Sequence, residues 1–255
     1  MKSKFHFLKV FLMSSIFVFW VACDTVNSNE DGDNNMNDPD SLKTGTVRVL
    51  VLSNYLHDTV AAQFPQFIAN AEFTAVDIDS DTPTVAFLDS FDLVILFEDG
   101  LVNYPTIIGD SIYQYVMNGG NLILGTFYWQ DRSDGGHTTN GWGMLETIDP
   151  IYSGSCAYSD DHMDSVIAHP MTEGVDSLLA YYRGGVDSLR NGATALAWWS
   201  DGSILLAYNQ PAGRITAVTV APQHEFYVIS QQRNLSGDFR QLWYNVIRWT
   251  GGFEL

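Results

Sequence analysis

Residues 92–127 read DLVILFEDGLVNYPTIIGDSIYQYVMNGGNLILGTF, and the fold is decided there. The stretch opens on an apolar run at 92–97 and closes on a second at 121–127. Between them, 107–117 carries apolar residues at helical spacing and ends at Asn118-Gly119-Gly120, the composition of a left-handed helix stop. Strands that are apolar at nearly every position are buried on both faces, as in a parallel sheet with helices on either side. The same grammar runs outward toward the N-terminus: a strand at 47–52, a helix at 60–71, a strand at 72–78 and a short helix at 83–88. Toward the C-terminus a polar, Gly-rich loop spans 130–143. Beyond it come strand-like runs at 179–183, 195–199, 203–207 and 214–220, and an amphipathic helix at 239–250. Asp201-Gly202 between the second and third of these runs is a hairpin turn signal. The pattern predicts an α/β fold: a three-layer flavodoxin-like parallel sheet with helices on both faces and antiparallel additions in the C-terminal half.

Composition narrows the function. The 255 residues hold 30 Asp and Glu against 12 Lys and Arg, a net charge of −18. Lys2, Lys4 and Lys9 precede every acid, so 9 bases face all 30 acids from Asp24 onward, a charge of −21. Nucleic acid is excluded as a partner, because phosphate neutralisation needs a basic face. Adhesion to anionic lipid by charge alone is disfavoured for the same reason.

The three lysines lead into an apolar run at 10–22 that is too short to span about 30 Å of hydrocarbon. A basic start, a short apolar run and small residues before a cut describe a secretory signal peptide over 1–22. Val21-Ala22-Cys23 resembles the lipobox of bacterial lipoproteins, with Trp20 where Leu is usual. That resemblance implies a diacylglyceryl thioether on Cys23 and hence a membrane partner through the lipid. An ordinary signal peptide with an incidental cysteine is the alternative. Residues 23–43, rich in Asp, Asn and Ser, read as an acidic flexible tether. An acidic stretch in this place resembles the surface-export signals of lipoproteins from the Bacteroidetes group. It implies a cell-envelope address, at the outer membrane and facing outward. The remaining 44–255 is expected to form one domain. Cys156, with no neighbouring base, reads as a structural thiol.

Five segments in order resemble the class I glutamine amidotransferase-like fold, including its trehalose-utilisation-protein-like branch. They are Phe91-Asp92-Leu93-Val94-Ile95, the run from Tyr115 to Gly125, His169-Pro170-Met171-Thr172-Glu173-Gly174-Val175, Gly213-Arg214-Ile215-Thr216, and the run from Leu242 to Trp249. The resemblance implies a nucleophilic Cys at the turn after strand 121–127. Phe127 stands there instead, and a phenyl ring can neither attack, ligate nor carry a proton. The family's His-x-Glu element is loosely echoed by His224-Glu225 with altered spacing. Glutamine hydrolysis is therefore not expected.

Open α/β sheets bind ligands beyond the carboxyl ends of their strands. Glu98, Asp99, Phe127, Tyr128, Trp129, Asp131, His224 and Glu225 are the candidates for that edge. Aromatic faces beside carboxylates suit sugar rings. Tyr128 and Trp129 have an alternative as core beneath the 130–143 loop. Asp160, Asp161, His162, Asp164 and His169 match no ligand spacing and read as a solvated loop, so neither a metal nor a cofactor is implied. Three functions follow from these readings. The first is a non-catalytic module binding carbohydrate or an envelope protein. The second is a glycan hydrolase using acid-base pairs such as Glu98 and Asp131, and the third a structural component of an envelope assembly.

Overall fold

The computed structural model describes residues 45–130, 141–152, 154 and 156–253. Residues 1–22 and 23–43, read above as a signal peptide and a tether, and Asp131 lie outside them. Ten strands form one sheet in the order β10-β6-β5-β7-β8-β9-β4-β3-β1-β2. Its parallel half is β1 (Val47–Ser53), β2 (Ala71–Asp77), β3 (Leu93–Leu96), β4 (Asn121–Gly125) and β9 (Ile215–Val218). The antiparallel half continues from β9 through β8 (Ile204–Asn209), β7 (Thr194–Trp199), β5 (Cys156–Val166), β6 (Leu178–Gly184) and β10 (Leu235–Gly237).

Apolar runs are needed in the central strands because successive side chains enter different cores. In β1, Val49 and Val51 join the core under α1 (His57–Gln63) and α5 (Phe239–Gly251). Leu50 and Leu52 join the core under α2 (Val85–Leu88) and α3 (Pro105–Met117). Both layers are continuous across the parallel half, so the three-layer α/β arrangement read from the sequence is the one present. Gly109 lets α3 approach the 3₁₀ turn at Gly143–Thr147, since a Cβ there would lie 1.8 Å from the Trp142 carbonyl oxygen.

Two expectations are corrected, and one helix is added. The helix expected over 60–71 is α1 followed by a 3₁₀ turn at Phe64–Gln66. Pro65 supplies no amide hydrogen to continue the ladder, and Ala71 already belongs to β2. Phe64 ends the helix by packing against Phe67, Phe73 and Trp243. The expected loop around 160–164 is instead β5, an eleven-residue strand hydrogen-bonded on both sides. Its polar residues face out, except Asp161, which meets the buried Arg183 at 3.2 Å. His224 and Glu225 open a helix, α4 (His224–Ser230), that periodicity does not announce.

Candidate functional site

The carboxyl ends of β1, β3, β4 and β9 form one edge of the sheet, and the chain leaving each strand furnishes it. After β1 comes Asn54, whose amide group holds Asp99: Nδ2 donates to the Asp99 carbonyl at 3.0 Å, and Oδ1 accepts the Asp99 amide at 3.0 Å. After β3 come the fully buried Glu98 and the half-buried Asp99. After β4 the chain turns at Thr126, joined to Phe127 by a cis peptide, and the Phe127 amide donates to the Glu98 carbonyl at 3.1 Å. After β9 come Pro222, Gln223 and His224, the last two fully buried.

Phe127 is 3% exposed. Its ring stacks on Tyr158 of β5 at 5.6 Å and meets Tyr182 of β6 edge-on at 5.7 Å. Tyr158 is itself 49% exposed, so a phenol face caps the buried phenyl and looks out of the molecule. Tyr182 lies 4.6 Å from Tyr227 of α4. The Tyr227 hydroxyl donates to Asp99 and accepts from Gln223 Nε2 at 3.3 Å. Burial first, and the Asp99 carboxylate second, push the Tyr227 phenol well above its ordinary value, so it remains a donor. Burial, then the nearby charges of Cys156, Asp99 and Tyr182, push Tyr158 up to about 12. Asp99 is thus a carboxylate held at backbone and side chain, among aromatic rings.

His224 has a different task from the one its type suggests. Its Nε2 accepts the backbone amides of Tyr181 at 3.0 Å and Tyr182 at 3.1 Å. Burial holds the imidazole down to about 4, against the opposing pull of Asp160. The ring is therefore neutral, with its proton on Nδ1 and its lone pair committed to two amides. It pins β6 to the parallel half of the sheet.

The other candidates part company here. Tyr128 stacks on Trp142 at 5.4 Å and donates to the buried Asp149 at 3.2 Å. Trp129 is 1% exposed and packs edge-on to Tyr128, so both belong to the core under α3. Glu225 pairs with Arg240 of α5 at 2.6 Å, turned toward that helix. Glu98, Asp99, Phe127 and His224 are brought to one edge; Tyr128, Trp129 and Glu225 are not. Tyr158, Tyr182, Tyr227 and Arg233 join that edge through tertiary contacts without a local sequence signal, apart from the Tyr181-Tyr182 doublet. Among the described residues no group of three or more His, Cys, Asp or Glu could hold a metal, and no helix is long and apolar enough to cross a membrane.

Solved structures share this fold. A cytoplasmic protein from Salmonella typhimurium superposes with a TM-score of 0.62 at 14% identity, over 79% of this chain and 98% of its own. A second, from Salmonella typhimurium LT2, gives 0.55 at 11% identity over 80% and 99%. A ThuA-like protein from Bacteroides uniformis gives 0.55 at 13% identity over 84% and 95%. The chain thereby shares the α/β fold of these structures, a ThuA-like protein among them. No family profile matches the chain, and no curated protein matches it. Likeness at this level of identity carries the fold alone, and function has to be argued from the site.

Proposed function

We propose that the domain is a non-catalytic binding module that receives carbohydrate at the carboxyl edge of its sheet, in a protein held to the cell envelope by lipid on Cys23. The observation that carries the reading is Phe127. At the turn where the resembling hydrolases present a thiol, this chain has a buried phenyl ring packed against Tyr158 and Tyr182. His224, the residue nearest to a general base, has its lone pair occupied by two backbone amides. A buried phenyl ring and an occupied imidazole at these two positions support a reading without nucleophile and base.

The carbohydrate reading is supported by what surrounds that edge. A sugar ring presents apolar CH groups to an aromatic face and hydroxyls to a carboxylate. Tyr158 offers the face, and Asp99 the acceptor, fixed by Asn54 and Tyr227. Calorimetric titration of the mature protein against a glycan panel tests it. Binding without turnover is expected, weakened about tenfold, ~1.4 kcal/mol, in Asp99→Asn and in Tyr158→Ala. Release of new reducing ends, or binding indifferent to both changes, overturns the proposal. Incorporation of labelled palmitate, abolished in Cys23→Ala, tests the anchor separately.

A further inference from the structure

We propose that the saccharide received at this edge is acidic, a uronic-acid-bearing glycan whose carboxylate is met by Arg233; this rests on the carbohydrate reading and goes one step past it. Arg48, Arg183, Arg190 and Arg240 each meet a carboxylate. Arg233 meets none within ion-pairing distance among the described residues. Its guanidinium carbon instead lies 4.2 Å from the ring centre of Tyr181 and 5.9 Å from that of Tyr182. Arg214 also rests on a ring, that of Trp249 at 4.8 Å, but its guanidinium donates to the Trp249 carbonyl near the end of α5, whereas Arg233 stands beside the tyrosines of the carboxyl edge. A hydrogen bond to Tyr182 first, then the surrounding charges with Asp160 the weakest, raise the Arg233 guanidinium above its ordinary value; Asp160 Oδ2 already accepts from Asn234 at 2.6 Å.

The backbone holds Arg233 in place. Gln232 takes the left-handed conformation at φ 54°, which turns the chain back after α4. The Arg233 amide then donates to the Tyr227 carbonyl at 3.2 Å. Gln231 accepts the Tyr182 hydroxyl at 2.5 Å, tying the same turn to β6. Tyr227, which anchors this turn, also donates to Asp99. Arg233 and Asp99 therefore flank the Tyr182–Tyr227 pair, one offering a planar donor fork and the other an acceptor.

That arrangement fits a hexuronate. Its hydroxyls would donate to Asp99, its ring would lie on the exposed Tyr158 beside Tyr182, and its carboxylate would take the guanidinium fork in two parallel hydrogen bonds. The overall negative charge does not forbid this, because at physiological ionic strength charges beyond about 8 Å are largely screened. Stacking on the tyrosines fixes the guanidinium plane, so less freedom is lost when the carboxylate arrives.

The test uses the mature protein and four polysaccharides: polygalacturonate, its fully methyl-esterified form, a neutral β-glucan and dextran sulfate. Polygalacturonate is expected to bind about tenfold or more tightly than its ester, a ratio worth ~1.4 kcal/mol. The preference should vanish in Arg233→Gln and survive in part in Arg233→Lys, which keeps the charge and loses the fork. Melting temperatures of both variants should stay within a few degrees of the parent, since only contacts to Tyr181 and Tyr182 are altered, and binding is compared below the melt. Equal binding of acid and ester by the parent overturns the inference while leaving the carbohydrate reading intact. A preference that persists in Arg233→Gln also overturns it. Dextran sulfate binding as tightly as polygalacturonate replaces carboxylate recognition with general anion capture and overturns it too. Failure of all four to bind overturns both readings together.

Discussion

His224 makes the clearest quantitative prediction, because two states of one ring differ in a calculable way. In the unfolded chain its imidazole takes a proton near 6.5, whereas burial in the folded protein lowers that to about 4. Between those values the unfolded state binds more protons, so acid favours unfolding. The contribution is complete above 6.5 and is lost progressively as the pH falls toward 4. Between pH 7 and about 4.5 the loss is about 2.5 kcal/mol. His224→Gln keeps an acceptor near the Nε2 position for the amides of Tyr181 and Tyr182 but removes the titration. Urea unfolding of both proteins at about pH 7, 5.5 and 4.5 gives the two pH profiles, and their difference cancels the carboxylates common to both. The variant is expected to be somewhat less stable at pH 7, and to close most of that gap or overtake the parent by pH 4.5. Parallel profiles would refute the reasoning. So would an imidazole midpoint near 6.5 in the folded protein, observed by NMR.

Three further outcomes follow from contacts already described. Phe127→Cys places a thiol at the turn after β4 but should release no ammonia from glutamine, since His224 has no free lone pair to activate it; it should also destabilise the fold by about 3 kcal/mol through the lost ring. Ammonia release above background, or an unchanged melt, counts against that account. Gly109→Ala drives a Cβ to within 1.8 Å of the Trp142 carbonyl, and urea unfolding should show a loss of about 1–3 kcal/mol as α3 and the Gly143–Thr147 turn separate. Arg183→Met leaves Asp161, whose side chain is 8% exposed, without its cation and should cost about 3–5 kcal/mol, most of it recovered when Asp161→Leu is added.

How far the sequence reveals this molecule depends on where the constraint on each residue originates. Val49, Ile95 and Ile123 must be apolar because of the layer immediately above or below them, so β1, β3 and β4 can be read from composition alone. β5 cannot. It sits inside the sheet with both backbone edges paired, yet most of its side chains face solvent. The one buried acid, Asp161, is made tolerable by Arg183, twenty-two positions later. Without that partner in view, Asp160-Asp161-His162 has the composition of a loop. The strand's reason for existing lies in its neighbours.

The site divides along the same line. Glu98, Asp99 and Phe127 follow central parallel strands, and the rule that such sheets bind ligands at their carboxyl ends places them before any coordinate is known. Tyr182, Tyr227 and Arg233 come from the antiparallel half and reach the same edge only through tertiary contacts; Tyr227 and Asp99 are 128 residues apart. His224 shows why residue type misleads where such contacts decide. A histidine next to a glutamate reads as a pocket pair or as a helix or loop cap; in the fold the glutamate turns to Arg240 and the imidazole receives two backbone amides. Those amides belong to Tyr181 and Tyr182, the residues on which Arg233 rests. The position that resembles a base thus serves as the support beneath the aromatic surface, and loosening it should impair ligand binding before any question of catalysis arises.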